Sequence, residues 1–101
     1  MSLKKQYLKS KNTCKVTFTL PKNEAENAGN VSLLGDFNNW DANANPMKSS
    51  KKGDYSVSLN LESGKEYQFR YLVDGNVWLN ENEADKLVPA PFGVENSLIS
   101  L

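Results

Sequence analysis

Two tryptophans, a single arginine and thirteen asparagines carry the distinctive chemistry of this 101-residue chain. Trp40 stands in Gly35-Asp36-Phe37-Asn38-Asn39-Trp40-Asp41, where Gly, Asn and Asp mark a turn and yet the largest apolar side chain is present. Arg70 is alone against eleven lysines. Other chemistries are missing. With no His, a Ser-His-Asp triad, a Cys-His pair and a His-based metal site are excluded. One Cys cannot build a zinc cluster, and no phosphate-binding glycine loop is present. Glu81, Glu83 and Asp85 are carboxylates at short spacing, but all lie in one segment. A solvated loop is expected there rather than a pair of carboxylates flanking a substrate, or a calcium loop. The residues point to a binding module, not an enzyme, and imply no cofactor and no metal.

The bulk composition agrees. Apolar residues make up 39% and charged residues 24%, a globular balance that suits one domain. The formal net charge is zero, which argues against a nucleic-acid partner. No apolar run is long enough to span a membrane, and the Lys-rich start has no apolar signal core. Cys14 is alone, so a reducing, cytoplasmic location is expected. Residues 1–12 read as a mobile Lys-rich arm and residues 13–101 as the folded domain.

These candidate residues must be positioned by strands. Cys14, Val16, Phe18 and Leu20 alternate with polar residues up to Pro21. Val31 to Gly35 make a second strand, and Tyr55, Val57, Leu59 and Leu61 a third. Tyr67, Phe69, Tyr71 and Val73 alternate after the turn at Glu62-Ser63-Gly64. Val77 to Leu79 return after Asp74-Gly75, and roughly Ser97 to Leu101 close the chain. Residues 22–30, 38–53 and 80–93 read as connections. Six or seven half-apolar strands at this length predict an all-β, two-sheet antiparallel sandwich.

Strand parity then sorts the candidates. Phe37 serves as the core plug, which leaves Trp40 free. Arg70 falls opposite Tyr67, Phe69 and Tyr71 and points outward. Trp78 depends on hairpin register. A two-residue loop pairs Tyr71 with Trp78 and buries the indole. A three-residue loop pairs Leu72 with Trp78, puts it beside Arg70 and turns Val77 and Leu79 inward. We favour the second, which buries two aliphatics and suits a left-handed Asn76. Trp40, Trp78, Arg70 and Asn96 then combine flat aromatic faces with amide and guanidinium groups. A sugar ring, with one apolar C–H face and a hydroxylated edge, fits that set.

The runs VSLLGDFNNWD, PMK, GDYSVSLNLESGKEYQFRYLVDG and PFGVENSLISL, together with Trp78, resemble carbohydrate-binding module family 48 over about residues 13–101. That family includes the glycogen-binding domain of the AMP-activated protein kinase β subunit and the N-terminal early-set domains of isoamylases and glycogen branching enzymes. The resemblance implies an immunoglobulin-like sandwich in which Trp40 and Trp78 stack on α-1,4-linked glucose units. It implies that Arg70, where the kinase domain has Lys, and Asn96 bind hydroxyls, and that Phe92 packs at one edge. Val94 falls where the kinase domain has a sugar-contacting Thr, so that bond is expected to be missing. The hairpin has one extra residue before its Trp, which a three-residue loop absorbs.

The expected function is a non-catalytic α-glucan-binding module for glycogen or maltooligosaccharides. The resemblance leaves open a free-standing module or an excised piece of a longer chain. The competing expectation is an interaction domain that packs on a glycan-active enzyme, with the tryptophans in a protein interface.

Overall fold

The computed structural model describes residues 3–8, 12–25 and 28–101. Nine strands form among them: β1 (Leu3–Tyr7), β2 (Thr13–Leu20), β3 (Val31–Gly35), β4 (Lys48–Ser49), β5 (Tyr55–Glu62), β6 (Glu66–Val73), β7 (Val77–Leu79), β8 (Lys86–Pro89) and β9 (Glu95–Ser100). One sheet runs β1-β2-β5-β4. The other runs β3-β6-β9-β8, with β7 also paired to β6. All pairings are antiparallel. The two inner faces meet in an all-β sandwich, as the alternation predicts. No helix among the described residues is long and apolar enough to cross a membrane.

The core lies between the sheets. Val16, Phe18 and Leu20 of β2 face Val31, Leu33, Phe69, Tyr71 and Ile99 of the other sheet, all buried. Each such side chain contributes about 1.5–3 kcal/mol by leaving water. Phe69 meets Phe18 edge-on at 5.1 Å and Tyr71 at 6.0 Å between ring centroids. Asp74 ties the β6–β7 turn to the start of β3, accepting from the N–H groups of Gly29 at 2.7 Å and Asn30 at 2.9 Å.

Several local expectations are corrected. Leu3–Tyr7 of the expected mobile arm is a strand paired with β2 along its length, Leu3 buried. It is held from the far end of the chain: Lys5 Nζ donates to Asp85 at 2.9 Å, and the Leu3 N–H reaches Glu83 at 3.4 Å. The rest of the arm, residues 1, 2 and 9–11, lies outside the described residues. The connections at 38–53 and 80–93 each contain a strand, β4 and β8, because an edge strand can form on a paired neighbour without an apolar face of its own.

Glu81 is not solvated but buried. Its carboxylate accepts from the Tyr71 hydroxyl at 2.6 Å and from the Glu83 N–H at 2.8 Å. Burial first, and then that carboxylate, push the Tyr71 phenol far above its usual range, so it stays a donor. Glu83 and Asp85 likewise serve the fold.

Burial of Asp85 pulls its pKa up, but the Ser100 N–H and the Lys5 ammonium outweigh this and hold it below the ordinary value. A depressed folded pKa stabilises above the unfolded value. The contribution is lost as pH falls from the ordinary carboxylate range through the lowered one. Asp85→Ala is expected to cost about 1 kcal/mol in urea unfolding at neutral pH and to speed amide exchange in Leu3–Tyr7. Wild type should lose protection there, relative to the intrinsic exchange rate at the same pH, only on acidification.

Candidate functional site

The stretch from Gly35 to Asp41 leaves β3 under a steric constraint. A Cβ on Gly35 would stand 2.7 Å from the Gln68 carbonyl oxygen and 2.8 Å from both the Phe37 ring and the Phe69 Cβ. Its backbone is extended, so contact alone demands glycine here. Asp36–Asn38 then form a single 3-10 turn. Phe37 folds in against Phe18 at 5.7 Å, Tyr67 at 6.0 Å and Phe69 at 6.4 Å, the expected plug. Asn38 holds the turn with both ends of its amide. It accepts from the Gly35 N–H at 3.0 Å and donates to the Leu33 carbonyl at 2.9 Å and Asn45 at 2.7 Å.

Asn39 and Trp40 both take left-handed backbone at φ 57°. That region is familiar for Asn and costly for Trp, of the order of 1–2 kcal/mol. The Trp40 N–H bonds back to the Gly35 carbonyl at 3.0 Å, and its indole N–H donates to Asp36 Oδ1 at 3.0 Å. The ring is thereby thrown onto the outer face of the β3–β6 sheet, partly exposed.

Arg70 lies on that face, opposite Leu34 of β3. The other edge of β6 is shared: Glu66–Phe69 pair with β9 and Tyr71–Val73 with β7, so the fork falls at Arg70. Asn80 closes it, its Nδ2 donating to the Glu95 carbonyl at 3.0 Å and its Oδ1 accepting from the Ser97 hydroxyl at 2.8 Å. The hairpin takes the three-residue register, with Leu72 opposite Trp78 and Val73 opposite Val77. Trp78 is therefore on the outer face, 42% exposed.

Two details differ from expectation. The left-handed residues are Asp74 and Gly75, not Asn76. Leu79 packs on the core, but Val77 is exposed at the tip of the hairpin, beyond the cover of the opposite sheet.

The guanidinium of Arg70 sits 4.5 Å from the Trp78 ring centroid and 5.7 Å from that of Trp40. Cation–π attraction therefore ties one strand side chain to both indoles. The three border a groove of about 610 Å³ that also takes in Phe92 and Asn96. All five residues singled out in the sequence thus come together.

Asn96 is more buried than a free ligand contact, only 8% exposed, because its Nδ2 donates to Gln68 at 3.0 Å. Its Oδ1 and the Arg70 Nε are buried without a hydrogen-bond partner among the described residues. Phe92 is fully exposed on left-handed backbone, φ 67°, in the turn before β9. Val94 lines the groove with no polar group to offer.

Sequence reasoning missed Gln68 and Asp36, which also line the groove. Gln68 shares its strand parity with Arg70, a signal that was present. The placement of Asp36 depends on a bond to Gln68, thirty-two residues away, which local sequence does not show. No group of three His, Cys, Asp or Glu among the described residues could hold a metal ion.

The sequence profile of carbohydrate-binding module 48 (isoamylase N-terminal domain) matches residues 11–90. A 1,4-alpha-glucan-branching enzyme of Emericella nidulans is 45% identical over 40 residues, which cover 40% of this chain and 6% of the enzyme. The match thus spans a small part of that relative's length.

Gly35→Ala is expected to destabilise by about 3 kcal/mol, since backbone and two aromatic neighbours must all move. Thermal unfolding should shift down by more than about 10 °C. Phe92→Gly removes a side chain that buries nothing and relieves a left-handed Phe. Urea stability should stay within about 0.5 kcal/mol of wild type, as strain relief offsets the added chain entropy.

Proposed function

The chain belongs to carbohydrate-binding module family 48, a family of non-catalytic modules, and on that premise we propose that it binds α-1,4-linked glucan such as glycogen or maltooligosaccharides. The observation that carries the reading is the convergence of Trp40, Arg70 and Trp78 in one groove. Two indoles on one outer face can cover the apolar faces of successive glucose rings. The Arg70 guanidinium and the Asn96 side chain are the polar groups assigned to the sugar hydroxyls. Phe92 closes the groove at one edge.

The relative whose name includes 1,4-alpha-glucan supports the linkage assignment. The buried free Cys14 accords with a reducing, cytoplasmic setting, and an enzyme acting on the same glucan is the natural protein partner.

Each aromatic contact contributes on the order of 1 kcal/mol beyond area burial, so a single site should bind in the millimolar to micromolar range. Glycogen strengthens this by presenting many chains. Native-gel mobility with and without glycogen tests the reading. Wild type should be retarded, and Trp40→Ala and Trp78→Ala should each weaken binding about tenfold. Retention on amylose and not on cellulose is the expected linkage result. No retardation of wild type would defeat glucan binding and leave the tryptophans to a protein interface.

A further inference from the structure

We propose that Asp36 is the positioning residue of the Trp40 platform, clamping the indole to strand β6. The inference for binding rests on the glucan reading above; the clamp itself does not.

One carboxylate oxygen of Asp36 accepts the Trp40 indole N–H at 3.0 Å, and the other accepts the Gln68 backbone N–H at 2.9 Å. The β3–β6 ladder ends at Gly35 opposite Phe69, so Asp36 supplies from its side chain the acceptor that the next backbone pair would have supplied. The ring of Trp40 is thus tied to the strand that carries Arg70, not only to its own loop.

The tie matters because two consecutive residues, Asn39 and Trp40, are held left-handed. Without it, the loop can relax by moving the ring away from the guanidinium. An indole N–H and a backbone N–H are both donors, so the bridge needs two acceptors and no donor. A carboxylate meets that condition. Asn satisfies one N–H and turns its own NH₂ toward the other. A clamp formed before the ligand arrives lowers the ordering cost of binding.

The chain has only two indoles, so the N–H resonances in a ¹⁵N spectrum read each one separately. The test compares wild type, Asp36→Asn and Asp36→Ala, first without ligand and then with maltoheptaose. In both variants the Trp40 indole proton should move upfield and exchange faster with water, while the Trp78 indole stays put. Affinity for maltoheptaose should fall about tenfold in Asp36→Ala and less in Asp36→Asn.

A Trp40 resonance unmoved in Asp36→Ala overturns the clamp, and an unchanged maltoheptaose affinity in both variants overturns the positioning role. Loss of both indole signals in the near-isosteric Asp36→Asn shows a general structural role and overturns the positioning role. Wild type that fails to bind maltoheptaose overturns the glucan reading instead, so the two failures are told apart.

Discussion

The groove depends on how closely β3 and β6 approach at Gly35. Only a hydrogen fits between that Cα and the Gln68 carbonyl, with the Phe37 and Phe69 side chains pressed on the same point. Because the chain cannot bulge there, it must turn at once. Phe37 fills the end of the core and Asn38 bonds back across the turn. The next two residues then have little choice of direction, and the indole emerges over the outer face. The exposure of Trp40 follows from packing on the opposite side of the sheet.

The same logic explains where backbone strain collects. Among the described residues, four other than glycine are left-handed: Asn39, Trp40, Asp74 and Phe92. Asp74 is in the hairpin turn, where its carboxylate is engaged by two N–H groups. Trp40 and Phe92 are large, line the groove and gain nothing for the core by their placement. Costly conformations held by surrounding bonds, on residues that bury little, are expected where the fold serves a site.

Most of the sandwich was legible because its long strands each bury one face. Cys14–Leu20, Tyr55–Leu61 and Tyr67–Val73 repeat every second residue, a pattern that requires no knowledge of partners. The hairpin register followed from asking which slip hides more aliphatic surface. Edge strands carry no such pattern. β1, with the sequence LKKQY, exists because β2 offers free backbone groups and Asp85 anchors Lys5. Glu81 read as solvated because its partners, Tyr71 and Ser97, lie 10 and 16 residues away and approach only once β6 and β9 have paired. In the groove, aromatic and cationic residues were visible by type, whereas Asp36 acts through a bond that closes only in the folded sheet.

The fork at Arg70 has a thermodynamic consequence. β7 and β9 reach the same edge of β6 from either side of that residue, and the loop carrying Trp40 arrives from β3 on the other edge. The groove therefore draws on four separated stretches of chain, and no single hairpin contains it. Local fraying of any one stretch dismantles the whole groove. An occupant would accordingly register as stabilisation of the entire sandwich, raising its melting temperature with the logarithm of ligand concentration rather than quieting one loop. Filling the groove and folding the domain would thus be one linked equilibrium.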